Sequence, residues 1–112
     1  MELSITHNGP VCVVAVRGSI DGSTATQLQQ EFATHLQGPH AQLVIDCGAL
    51  EYTSSAGLRV LLAGMKDSRR LGGDLRLAAV QGGVHKVLQL SGFTGILKIY
   101  PDVGTAVSSY GG

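Results

Sequence analysis

Residues 43–73 read LVIDCGALEYTSSAGLRVLLAGMKDSRRLGG, and the change of period inside this stretch decides the fold. Leu43-Val44-Ile45-Asp46 is too short and too uniformly apolar for a surface helix, and it suits a central strand covered on both faces. From Ser54-Ser55 onward the apolar residues return at helical spacing, with Leu58, Leu61, Leu62 and Met65 on one side. Arg69-Arg70 fall in the last turn and Gly72-Gly73 supply the stop. No strand is read between Asp46 and Ser54. A buried strand followed by a clear amphipathic helix is the unit of an alternating α/β sheet.

Upstream, Glu2 to His7 alternates polar and apolar, and Asn8-Gly9 precedes the β-branched run Pro10 to Val16, which predicts a β-hairpin. After Gly18 the period becomes helical through Ala25, Leu28, Phe32 and Leu36. A first helix is expected over about Ser23 to Gln37, capped by Ser23 or Asp21 and ended by Gly38-Pro39. Downstream, Asp74 to Val80 alternates like a strand. Val84, Val87, Leu88 and Ser91 fit a short helix ended by Gly92, and Ile96 to Tyr100 reads as a last strand. Pro101-Asp102 opens a terminal helix carrying Val103, Ala106, Val107 and Tyr110, with residues 110–112 expected as a loose tail. The 112 residues suit one hydrophobic core and not two. The expected class is a single α/β domain: an N-terminal β-hairpin, then alternating helices and strands forming a mixed sheet packed by helices.

Composition removes several functions. With 44% hydrophobic and 14% charged residues the chain lies outside the regime of disordered sequences. Eight basic residues balance eight acidic ones, and no basic run exceeds Arg69-Arg70, so no nucleic-acid partner is expected. No apolar run approaches the roughly 20 residues that cross a bilayer, and Met1-Glu2-Leu3-Ser4 lacks signal-peptide character, so a cytoplasmic, soluble protein without a membrane partner is expected. Cys12 and Cys47 sit in strand-like runs without metal-ligand spacing and read as free core thiols. His7, His35, His40 and His85 show no paired spacing. Neither a Gly-x-Ser-x-Gly elbow nor a phosphate-cradling glycine motif is present. The reading is therefore not an enzyme, with no cofactor and no metal.

What remains distinctive is the pair Ser54-Ser55 at the mouth of the strongest helix. One serine is accounted for as an N-cap, worth about 1 kcal/mol, and the second is left over. On a helical wheel with the leucines inward, Ser55 shares the outer side with Arg59, Ala63, Lys66 and Arg70. A hydroxyl there is placed to accept a phosphoryl group from another protein. The dianion would meet the positive end of the helix and its unpaired N–H groups, and would pair with Arg59 one turn on.

These residues resemble the signature of STAS domains of the anti-sigma factor antagonist type: a strand ending in Asp, a loop, then Asp-Ser-Ser/Thr-Gly-Leu at a helix start. Gly18-Ser19-Ile20-Asp21 resembles the family's Gly-x-Leu/Ile-Asp element, and Phe93-Thr94-Gly95-Ile96 and Ile99-Tyr100-Pro101-Asp102 resemble its C-terminal segment. The resemblance implies a partner-switching role in transcription regulation. The unphosphorylated antagonist binds a serine kinase that doubles as anti-sigma factor, with a GHKL-type ATPase fold. Phosphorylation releases it, and a PP2C-type phosphatase restores it. Aligned through Tyr52 and Gly57-Leu58, the phospho-acceptor falls on Ser55, with Ser54 as the alternative, because Ser54 stands where Asp is usual. Ala56 replaces a common Ser/Thr and Arg59 replaces a frequent Gly. The implied partner-binding set is Asp21, Gly22, Ser23, Thr53, Ser54, Ala56, Gly57 and Arg59. The other reading within the family is a non-switching STAS subunit of a transport, lipid-trafficking or stress-sensing complex, in which Ser55 only caps its helix.

Overall fold

The computed structural model describes residues 1–35 and 41–111. The helix stop expected at Gly38-Pro39, with Leu36, Gln37 and His40, lies outside these residues. Strands β1 (Glu2–Asn8) and β2 (Val11–Ile20) form the expected antiparallel hairpin, with Asn8 opposite Val11 and Gly9-Pro10 as its two-residue loop. Helix α1 (Gly22–His35) follows, then β3 (Gln42–Asp46), β4 (Leu50–Thr53), α2 (Ser55–Arg70), β5 (Asp74–Ala78), α3 (Gly82–Leu90), β6 (Ile99–Tyr100) and α4 (Val103–Ser108). The sheet runs β1-β2-β3-β5-β6, with every pair after the hairpin parallel. The stretch at Leu43–Asp46 is the central strand, paired on both sides.

Side-chain alternation sorts the sheet into two faces. Cys12, Val14, Val16, Leu43, Ile45, Leu75 and Leu77 join Ala25, Leu28 and Phe32 of α1, Leu58, Leu61 and Met65 of α2, and Val84 and Leu88 of α3 in the main core. Val11, Val13, Val44 and Ala78 point the other way, onto Ala106 of α4. Three helices thus cover one face and one short helix part of the other.

Three elements differ from the sequence reading. Strand β4 was not anticipated, because its burial does not alternate: Leu50 and Thr53 are buried while Glu51 and Tyr52 are exposed. It forms because β2 outlasts β3. The last three residues of β2 offer an open ladder, on which Gly18, Ser19 and Ile20 pair with Leu50, Tyr52 and Thr53. Conversely, the last strand is only Ile99–Tyr100. The chain still turns through Phe93–Gly95, where the amides of Ile96 and Leu97 both donate to the Phe93 carbonyl and Leu97 is buried. Tyr110, expected to begin a loose tail, is half-buried, and its hydroxyl lies 2.6 Å from the Leu43 carbonyl and 2.8 Å from that of Asp74. Burial raises the Tyr110 pKa, so the hydroxyl stays a donor.

A polar cluster closes the far end of the sheet. Asp74 is buried and receives Arg69 Nε at 2.9 Å and Arg76 Nε at 3.0 Å. The Arg76 guanidinium stacks 4.0 Å over the Tyr110 ring and donates to Ser109. Burial alone would raise the Asp74 carboxyl. Hydrogen bonds from Arg76, Arg69 and the Leu75 amide outweigh it and hold the group below the usual carboxylate range.

Three substitutions have expected stability outcomes. Asp74→Asn leaves the Arg76 side chain, only 12% exposed, without its counter-charge, and should cost about 3 kcal/mol at pH 7, lowering the melting temperature by about 12 °C. Because the native carboxyl is held low, its contribution is complete above about pH 4 and declines as pH falls through the native value, so melts at pH 7 and pH 3 should show the variant's deficit narrowing in acid. Gly73→Ala would set a methyl 1.9 Å from the Ala41 carbonyl oxygen, backbone that cannot step aside, and should cost at least about 3 kcal/mol. Gly83→Ala, where nothing lies within 4 Å, should be neutral or slightly stabilising in the same calorimetric series.

Candidate functional site

Strands β2 and β4 lie side by side and parallel, with Ile20 opposite Thr53. The residues that follow, Asp21 and Ser54, therefore emerge together, and each begins a helix. The Ser54 amide donates to the Ile20 carbonyl at 2.8 Å, tying the two exits to each other. The N-termini of α1 and α2 thus open at the carboxyl ends of two neighbouring parallel strands, where the crevice of an open α/β sheet forms.

Of the two caps considered for α1, Asp21 is the one used. Its Oδ1 accepts the backbone N–H groups of Ser23 and Thr24, each at 3.0 Å, and the hydroxyls of Ser23 at 2.8 Å and Thr24 at 3.1 Å. The Thr24 hydroxyl in turn accepts the Asp21 amide at 2.7 Å. The Thr24 amide and the Ser23 and Thr24 hydroxyls hold the carboxyl at about 2, so it is a fixed negative charge at neutral pH. Gly22 and Ser23 are exposed beside it.

The two serines of α2 take different parts. Ser54 is the N-cap: its backbone is extended and its Oγ accepts the Gly57 amide at 3.2 Å. Ser55 is the first helical residue and is exposed. The cap is therefore Ser54, which corrects the reading in which Ser55 capped the helix. Arg59 and Ala63 lie exposed further along α2, and Ala56 is half-buried against the core. With Gly22, Ala25, Thr26 and Val60 these three line a shallow cleft between α1 and α2.

Two expected contact residues are instead interior. Thr53 is 2% exposed, and its hydroxyl donates to the Ser54 carbonyl. Gly57 is buried where a Cβ would stand 2.3 Å from Thr53 Oγ1 and 2.8 Å from Ile20 Cγ2. That glycine lets the first turn of α2 rest on the ends of β2 and β4, so it shapes the site from beneath. Tyr52, 54% exposed at the end of β4, is an aromatic beside the serines that the sequence reading left out of the contact set. Its signal was a β-branched or aromatic pair, Tyr52-Thr53, in a segment too short to read as a strand.

The remaining chemistry-bearing groups lie elsewhere. Cys47 is 1% exposed and burial beside Asp46 pushes its thiol up to about 12, so it is no nucleophile at neutral pH. Cys12 is also buried and free. Among the described residues no three His, Cys, Asp or Glu side chains converge as metal ligands, and no helix is long and apolar enough to cross a membrane. The site can offer an exposed hydroxyl at a helix start, a fixed carboxylate next to it and a guanidinium one turn on.

Comparison with known proteins places this geometry. The STAS domain profile matches residues 2–106. BtrV of Bordetella bronchiseptica is 32% identical over 110 residues, covering 98% of this chain and 95% of its own. The anti-sigma-F factor antagonist RsfB of Mycobacterium tuberculosis is 28% identical over 108 residues, 95% of this chain and 85% of that one. The Bacillus anti-sigma factor antagonist SpoIIAA shares the fold at 20% identity in its unphosphorylated form, with a TM-score of 0.85 over 97% of this chain and 96% of that one. Its phosphorylated form, at 19% identity, aligns with a TM-score of 0.77 over 97% of this chain and 99% of that one. With its profile match running from the first strand into the last helix, the chain belongs to the STAS domain family.

Proposed function

We propose that the protein is an anti-sigma factor antagonist whose binding is switched by phosphorylation of Ser55. In its unphosphorylated form it holds a serine kinase that is also the anti-sigma factor, of GHKL-type ATPase fold. The kinase passes the γ-phosphoryl group of ATP to Ser55 Oγ: the phosphorus–oxygen bond to the serine forms as that to ADP breaks, and the hydroxyl proton leaves to a base of the kinase. A PP2C-type phosphatase hydrolyses the ester and restores the binding form. The relatives named as anti-sigma factor antagonists support the role. The observation that carries the reading is the division of labour between neighbouring serines: Ser54 is committed to the cap, while Ser55 stands exposed with its hydroxyl available.

The switch follows from an asymmetry in solvation. On the free domain a phosphate at the first helical position stays in water at the favourable end of the helix. Against a closely packed partner the same dianion would lose its water, a cost that one neighbouring guanidinium does not cover. A thousandfold loss of affinity needs only about 4 kcal/mol. That SpoIIAA keeps this fold in both forms agrees with a switch that leaves the scaffold in place. The contact surface in this reading comprises Asp21, Gly22, Ser23, Tyr52, Ser54, Ser55, Ala56 and Arg59. Thr53 and Gly57 support it from below.

Ser55→Ala should abolish phosphate uptake from ATP and the cognate kinase, measured by intact-protein mass spectrometry, while binding that kinase within about twofold of wild type. Ser55→Asp should weaken the complex at least tenfold by calorimetry with the melting temperature nearly unchanged, since the residue is exposed. Equal affinity of the Asp variant and wild type would refute the switch. Asp21→Asn keeps the shape of the cap but removes the fixed charge, and should weaken kinase binding several-fold. A Ser54→Ala variant still phosphorylated to full stoichiometry assigns the acceptor to Ser55, and loss of phosphorylation there with retained uptake in Ser55→Ala would move it to Ser54.

A further inference from the structure

Helix α2 carries three arginines, and they are not equivalent. Arg69 is paired with Asp74, and Arg70 with Asp67. Arg59 is exposed and has no ion pair or hydrogen bond among the described residues. It follows Ser55 by four residues, one turn along the same side of the helix, a spacing at which side chains meet. No carboxylate occupies the first turn of α2 to compete for it. Across the β2–β4 exit stands the carboxylate of Asp21, whose Oδ1 already accepts four hydrogen bonds from its own loop.

We propose that Arg59 is the intramolecular receptor of the Ser55 phosphate, so that the phosphorylated domain pairs with itself and the released state is protected. This rests on Ser55 being the acceptor and concerns what happens after release. The guanidinium reaches back one turn and presents two N–H donors to the phosphate oxygens, a planar fit that an ammonium does not reproduce. Ser54 Oγ already satisfies the Gly57 amide, so the orphan amides of Ser55 and Ala56 remain to hold the group on its other side. Asp21 repels the dianion from across the strand ends. Arg59 offsets that repulsion and draws the phosphate along α2, away from the carboxylate. Two consequences follow: the paired phosphate binds its second proton less tightly, and its phosphorus is screened from an attacking phosphatase. Arg59 is thus a positioning residue that sets the lifetime of the off state.

The test uses the full chain with phosphoserine incorporated at position 55 during translation, so that no kinase is needed. Phosphorus NMR titrations compare wild type with Arg59→Gln and Arg59→Lys, all three expected to fold because the side chain is exposed. In wild type the phosphate should bind its second proton about threefold more weakly than in Arg59→Gln, with Arg59→Lys between them. A broad-specificity phosphatase should clear the phosphate several-fold faster from Arg59→Gln. Coincident titration curves for the three proteins overturn the pairing. The acceptor reading fails separately: if the phosphoserine protein binds the kinase as tightly as the unmodified chain, the switch falls while the titration difference stands.

Discussion

The site depends on three residues of parallel pairing, Gly18 to Ile20 of β2 against Leu50 to Thr53 of β4. Without this short ladder, β2 would end free beyond β3, and the starts of α1 and α2 would have no fixed relation. With it, Asp21 and Ser54 leave the sheet in register, and the Ser54 amide locks to the Ile20 carbonyl. Gly57 completes the joint, because only a residue without Cβ lets α2 settle onto Ile20 and Thr53. The exposed residues at this edge are therefore held by the most rigid kind of support a small domain offers, strand ends and helix first turns.

Much of this was legible in the sequence, and what was missed has a physical reason. The hairpin, the central strand at Leu43–Asp46 and helix α2 follow from periodicity, because each buries a regular face. Strand β4 carries no period: its two middle residues are exposed, and it exists through a neighbour 32 to 33 residues earlier in the chain, which a local window does not see. The β-branched and aromatic residues near Ile99 suggested a long last strand, yet burial of Leu97 keeps the preceding backbone turning. Tyr110 looked like a tail residue because nothing nearby in sequence explains it. Its partners are carbonyls of β3 and β5, reached only after α4 has folded back over the sheet.

The candidate site shows the same division. Exposure of Ser55 and Arg59 could be read from the leucine stripe of α2, since the side opposite a buried face is wet. Which serine capped the helix could not, because both are good caps and adjacent. Thr53 and Gly57 sit inside the recognisable motif, and a motif records which residues accompany a function without distinguishing those that touch a partner from those that shape the surface. Burial makes that distinction: at 2% exposure Thr53 has no side-chain surface to offer, while Tyr52 beside it has more than half of its own.

The arrangement of charge would also keep the proposed modification at this edge local. The only buried ionic cluster among the described residues, Asp74 with Arg69 and Arg76, lies at the opposite ends of β3 and β5, where it fastens the end of α2 and the last turn beyond α4 to the sheet. Its carboxylate is held ionised by its own partners, so a dianion added at the far end of α2 finds no titratable group there to disturb. At the near end, Asp21 is ionised by its own hydrogen bonds and Arg59 is exposed without an ion pair among the described residues. Between them runs α2, its inner side fixed by Leu58, Leu61 and Met65. Charge added at this edge would therefore be answered by exposed side chains while the backbone and core keep their positions. In the proposed switch such a domain would change what it presents to a partner without changing what it is, and Arg59 is the side chain placed to make that answer.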